Sequence, residues 1–315
     1  TSFTTGEAIG CVIAAKYGDS YQWKANTKWT YSENGILLLA DNVEGLLSKR
    51  DPHESNGFVR LLDKTMTYAF FFYYPYTSEM DGTFPMAESQ YLLAAPSEGN
   101  MTTYPMFVST DYRENTIDRI SHSEHLWVSH IQDPYAVEST SAEVSLTFER
   151  KTAALEIHCD HDSADPPAYT ITDVWISVPD ESDGVLRGVQ MNLTDGTAVA
   201  YTGNSTLQER NAVYKGRLYP GQINADSDHS DEDIYRMLLP AQTVSNWNLH
   251  AVITEDGSPQ EYSVPLTKLS KLEEGKQYIL HIAKAGNGSI LIKDWESGSN
   301  TGLVPDFFHH LEMTS

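Results

Sequence analysis

His158-Cys159-Asp160-His161-Asp162 places five metal-ligand types in a row, and His122-Ser123-Glu124-His125 adds a second cluster. Imidazole, thiolate and carboxylate together would suit a transition metal such as zinc. In an extended segment, however, His158 and His161 face opposite sides, so they share a metal only if the chain turns between them. The second cluster differs in spacing and order from the helix-borne His-Glu-x-x-His of zinc proteases. A third candidate is the acidic stretch Asn224–Asp233, in which Asp226, Asp228 and Asp231 are the weak candidate ligands for calcium. It lacks the glycine and the closing glutamate of an EF-hand, and a solvated acidic loop is the competing reading. Hydrolysis of a glycoside would need two carboxylates at a set separation, and with 44 acidic residues the sequence nominates no pair. Gly-x-Ser-x-Gly, phosphate-cradling and dinucleotide-binding motifs are absent. The sequence thus gives no catalytic residues and no cofactor, and the expectation is a protein that is not an enzyme.

Composition narrows the class. Aspartate and glutamate outnumber lysine and arginine by 44 to 21, a formal charge of −23. Such a field repels phosphate backbones and anionic lipid, which argues against nucleic-acid binding. No run approaches the roughly eighteen apolar residues of a membrane-spanning helix. At 315 residues, with 40% apolar and 11% aromatic content, two domains are the natural expectation. The only cysteines, Cys11 and Cys159, lie in different halves and read as two buried free thiols or as one bridge. Six Trp and eighteen Tyr could offer stacking platforms to a glycan, or could pack inside the domains.

Strand signals run from end to end. Tyr68–Tyr76 has Phe or Tyr at seven of nine positions, and a run apolar on both faces belongs in the middle of a packed sheet. Ala8–Ala15, Gly35–Leu39, Met106–Ser109 and His125–Ile131 are the other strands expected in the first half. In the second half Val144, Leu146 and Phe148 alternate with polar residues, as do Leu155, Ile157 and Cys159, then Val174, Ile176 and Val178. Further strands are expected at Val185–Leu193, Ala198–Tyr201, Ile234–Leu239, Trp247–Ile253, Tyr278–Ala283 and Ile290–Trp295. Two short helices are expected, at Asn42–Ser48 and around Pro85–Ala94. The fold class is all-β, made of antiparallel sandwiches. The boundary falls at the Asp-Pro and Ser/Thr-rich stretch Gln132–Ser141, giving an N-terminal sandwich over 1–135, a C-terminal sandwich over 136–298, and a tail over 299–315.

Several phrases resemble the fimbrillin family of Bacteroidales, the subunits and accessory proteins of surface pili. They are Phe3–Ala14 with its Gly-Glu-Ala-Ile-Gly, the aromatic strand ending in Tyr74-Pro-Tyr76, and Leu146-Thr-Phe148 followed by Ala154–Ile157. Met237-Leu-Leu-Pro-Ala-Gln242, Gly275-Lys-Gln-Tyr278 and Ile292–Gly298 complete the order. The resemblance implies two tandem transthyretin-like sandwiches and a lipoprotein precursor exported to the outer surface of the cell. It implies assembly by strand exchange after an arginine-specific protease removes an N-terminal strand. Partners would be other pilus subunits, and a host or bacterial surface receptor for adhesion.

Leu303, Val304, Phe307 and Phe308, spaced along an extended tail, are the candidate subunit-interaction residues. The other reading of this tail is a strand packed on its own body. Because the sequence starts at Thr1 without a methionine, it reads as a mature or trimmed product, whose membrane attachment would be a lipid on the missing N-terminal part. Lys49-Arg50 is a candidate cut site and Asp162-Ser163-Ala164 a candidate O-glycosylation acceptor. The alternative to a pilus subunit is a surface glycan-binding module.

Overall fold

A computed structural model gives the fold and describes residues 3, 5–17, 20–33, 37–39, 67–76, 103–114, 116–132, 141–160, 168–179, 184–201, 212–224, 232–284, 290–299 and 310–314. The aromatic run forms the strand Thr67–Tyr74 inside a six-stranded sheet, between Ala8–Tyr17 and Leu126–Gln132. Alternation of side chains then divides the run between two faces. Tyr68, Phe70, Phe72 and Tyr74 join one apolar cluster with Ile9, Cys11, Ile13 and Trp29. Ala69, Phe71 and Tyr73 join another with Val12, Ala14 and Trp127. Gly10 is required beside this strand, because a Cβ there would lie 2.0 Å from the Tyr73 ring. With glycine, the ring lies across the neighbouring strand and its hydroxyl donates to Asn26 Oδ1 at 2.8 Å.

The Phe71 face is closed by a three-stranded sheet of Thr103–Phe107, Gly188–Asn192 and Ala198–Ala200. Met106, Val189, Met191 and Leu193 meet the aromatic strand there, and Trp127 Nε1 donates to the Leu193 carbonyl at 2.9 Å. The Phe72 face receives Phe3, Leu146 and Phe148. Phe3 packs its ring edge-on against Tyr74 and Phe148, with centroids 5.1 and 5.6 Å apart. Leu146 and Phe148 are buried as their alternation requires, but they lie between the strands Ser141–Ser145 and Glu149–Arg150. They fill the aromatic cluster of the first half.

A second sandwich is built from two larger sheets. One is ordered Gly221–Gln222, Glu232–Pro240, Thr152–Asp160, Lys276–Lys284, Ile290–Ser299. The other is ordered Arg217–Leu218, Tyr169–Ser177, Asn248–Glu255, Ser258–Pro265. Leu155, Ile157, Met237, Leu239, Leu280 and Ile282 of the first face Ile171, Val174, Ile176, Leu249, Ala251 and Ile253 of the second. Strand pairs among the described residues are antiparallel except Thr152–Asp160 with Lys276–Lys284, which run parallel. The long path through the opposite sheet supplies the crossover that a parallel pair needs.

Cys11 and Cys159 are buried thiols in separate cores, with no disulfide between them.

Among the elements not expected from sequence are the long strands Ser20–Tyr31 and Ser258–Pro265, the helix Thr116–Ser123 and several two-residue strands such as Arg217–Leu218 and Gly221–Gln222. The helix lays Ile120 on Ala154 and Leu238, which is why Thr152–Ile157 is buried on both faces. The expected helices at 42–48 and 85–94 lie outside the described residues. Among the described residues no helix is long and apolar enough to cross a membrane.

Candidate functional site

The histidine-rich phrase resolves through strand alternation. On Thr152–Asp160, Cys159 enters the core while His158 stays on the outer face, where its Nε2–H lies 3.1 Å from Glu156 Oε2. The other Glu156 oxygen accepts from Arg236 Nε at 2.6 Å. Burial alone would raise the Glu156 carboxyl, but the hydrogen bond from His158 and the charge of Arg236 outweigh it and hold the group below the usual carboxylate range. His158 also packs its ring 4.8 Å from that of His281. Among the described residues no group of three potential metal ligands converges. His161, Asp162, Asp226, Asp228 and Asp231 lie outside the described residues. The ends of the acidic stretch are tied down: Gln222 Nε2 donates to Asp233 Oδ1 at 2.7 Å, and Ile234 N donates to Asn224 Oδ1 at 2.8 Å.

Of the second histidine cluster, Glu124 and His125 are buried just beyond the helix. His125 is 3% exposed and its Nε2–H donates to the Phe107 carbonyl at 3.2 Å. Burial disfavours the imidazolium and pushes the group down to about 4. Its neighbour Glu124 lies 2.9 Å from Arg150 Nε. Burial pushes Glu124 up to about 7 against the pull of Arg150, and pushes Arg150 down to about 10.

The two neighbours respond oppositely to acid. His125 titrates lower when folded than its ordinary 6.5, so its contribution to stability is lost as pH falls from 6.5 to 4. Glu124 titrates higher when folded than its ordinary 4.5, so its contribution is regained over 7 to 4.5. Replacing His125 by Asn should therefore make the variant gain on the wild type as pH falls through that window, by up to about 3 kcal/mol. Urea unfolding of both proteins at several pH values checks this, the difference between them cancelling the remaining carboxylates.

The tail ends in a strand. His310–Thr314 pairs antiparallel with Ser141–Ser145, in a register that sets Leu311 opposite Val144 and Glu312 opposite Glu143. The pair stands as a two-stranded sheet. Leu303, Val304, Phe307 and Phe308, which lead into it, lie outside the described residues. Among the other sheet edges, Ser258–Pro265 is blunted by Pro259, Glu261 and Pro265, with side chains mostly exposed.

No family model matches the sequence, and no curated protein matches it. Solved structures do. A Bacteroides uniformis protein provisionally assigned to cell adhesion is similar with a TM-score of 0.57 and 16% identity, covering 95% of this chain and 93% of its own. A fimbrial protein of Bacteroides vulgatus matches at a TM-score of 0.47 and 9% identity, over 93% of this chain and 92% of its own. A Bacteroides fragilis protein provisionally assigned to cell adhesion matches at 0.45 and 13%, over 94% and 85%. The latter two are too distant to carry an argument. Across nearly its whole length the chain has the all-β fold of the Bacteroides uniformis protein.

Proposed function

We propose that this chain is a non-catalytic, adhesive or structural subunit of a bacterial surface pilus, assembled by strand exchange between copies or related subunits. The observation that carries the reading is the terminal strand. His310–Thr314 is held to the body through Ser141–Ser145 in a two-stranded sheet, so one ladder is exchanged when it leaves. If the tail of one subunit takes the same place on the next, every backbone bond is kept and only its owner changes. Because the contact is heterologous and does not close, repetition gives a filament. The whole-length fold match supports this, together with the ordered sequence phrases shared with fimbrillins.

In this reading 1–135 and 136–298 are two transthyretin-like sandwiches, with Leu146–Arg150 and Gly188–Ala200 reaching back to the first. The tail 299–315 is the donor, and a lipid on a preceding segment anchors the chain at the outer membrane. Deleting residues 301–315 tests the assignment. The truncated chain should fold as a monomer and fail to enter polymers at the cell surface. Polymers of unchanged length would overturn it.

A further inference from the structure

An open groove of about 480 Å³ lies beside the strand Tyr169–Ser177, lined among others by Arg113, Trp175, Arg217, Tyr219, Gln222 and Tyr235. Two arginines share this groove with Asp173, and Arg113 is already paired with Asp111, so in a chain with 44 acidic and 21 basic residues the cation left open to a ligand there is Arg217. Both guanidinium groups are pre-organised by stacking. Arg113 lies 3.7 Å above the Tyr219 ring, and Arg217 lies 5.0 Å from the centre of the Trp175 ring. Asp111 fixes Arg113 with contacts of 3.1 and 2.7 Å. The backbone behind it is held by Tyr112 N donating to the Tyr219 carbonyl and Tyr219 N to that of Thr110, each at 2.9 Å.

Arg217, by contrast, is exposed and has no carboxylate partner among the described residues. Trp175 is 5% exposed and its Nε1–H is buried without a hydrogen-bond partner. Its other neighbour is His250, stacked at 5.1 Å and 9°. The strand carrying Trp175 is bulged between Thr172 and Trp175, and Asp173 has a φ of 45° there. Bulges of this kind re-aim side chains and gather beside functional sites.

We infer that this groove binds a carboxylate-bearing sugar. The Arg113 fork is taken by Asp111, whereas Arg217, lying over the Trp175 ring, keeps its N–H fork open, and that fork matches a carboxylate. The indole N–H, the Tyr235 hydroxyl and the Gln222 side chain suit the hydroxyls of a sugar ring. A neutral sugar is disfavoured, because guanidinium groups cover the ring faces of Trp175 and Tyr219 on which it would stack. The volume falls within the range of small-ligand pockets. An acidic peptide is the competing occupant, but Asp173 in the lining opposes a run of carboxylates more than a single one. The inference does not rest on pilus assembly.

The test titrates the full chain with sodium D-glucuronate, methyl α-D-glucopyranoside and hexaglutamate, followed by NMR or calorimetry at millimolar concentrations. Glucuronate should bind saturably and the neutral glucoside should not. Arg217→Ala should weaken binding about tenfold or more. Arg217→Lys should fall between, and Lys268→Ala, on an exposed turn, should leave binding unchanged. Absence of saturable glucuronate binding overturns the inference, as does equal binding of the glucoside or full binding by Arg217→Ala. Tighter binding of hexaglutamate through Arg217 replaces the sugar with an acidic peptide and overturns it too.

Discussion

Replacing Phe72 by alanine should lower the stability of the chain by about 3–5 kcal/mol. The side chain is fully buried in the central strand of the first sheet. It meets Trp29 at 6.1 Å and Phe148 at 6.5 Å, both edge-on. Truncation removes the transfer free energy of a benzyl group and leaves a cavity that rigid strands on either side, Ala8–Tyr17 and Leu126–Gln132, are poorly able to collapse. Each edge-on pair adds about 0.5–1.5 kcal/mol beyond burial. Phe148 belongs to the segment entering the second half, so the variant also loosens the link between the halves. Phe72→Leu should cost less, since most of the volume is kept. Ile131→Ala, on the same sheet but 39% exposed, should stay within about 0.5 kcal/mol. Urea midpoints with an unchanged slope would establish the order.

Arg150→Ala should be comparably severe, at about 3–5 kcal/mol, for a different reason. Arg150 is 5% exposed and opposes Leu126 in the ladder, with Glu124 its charge partner. Without it the Glu124 carboxyl has lost the charge that offsets its burial, and it must either stay protonated or remain as an unpaired buried anion. The loss should therefore grow between pH 5 and pH 8, since Glu124 already titrates near 7 in the folded chain and would move higher. Removing both charges, as Glu124→Gln with Arg150→Met, should recover most of the stability. Recovery would show that the cost lies in the orphaned charge rather than in lost volume.

The sequence was most readable where side-chain period and burial coincide. Tyr68–Tyr76 could be placed in the middle of a sheet because both faces of the run are apolar, and its two faces feed two distinct clusters. The Leu-Pro-x-Gln phrase is equally physical. Gln242 donates to the Leu186 and Pro240 carbonyls and accepts from Leu186 N at 2.8 Å, tying a turn to a neighbouring strand. Ser20–Tyr31 was missed because Lys, Gln, Asn and Thr dilute its aromatic residues, although Trp29 is nearly fully buried. Thr116–Ser123 spans only about two turns, too short for a period to show.

The groove was illegible for another reason. Arg113, Trp175, Arg217 and Tyr235 come from four separated segments, and only sheet order brings them together. The signal that could have found it was local: unusual arginines beside aromatic residues in a strongly acidic chain.

Strand exchange is the central claim, and one pair of cysteines reads it directly. Glu143 and Glu312 are cross-strand partners in the ladder between Ser141–Ser145 and His310–Thr314. The native thiols, Cys11 and Cys159, are buried away from oxidant. A chain carrying Glu143→Cys and Glu312→Cys is collected from the cell surface, oxidised, and run under denaturing, non-reducing conditions. Exchange between subunits links one chain's tail to the next chain's body, so a ladder of covalent multimers should appear and collapse to monomer on reduction. A single band of internally cross-linked monomer, with no multimers from surface polymers, would show that the tail stays on its own body and would contradict the account.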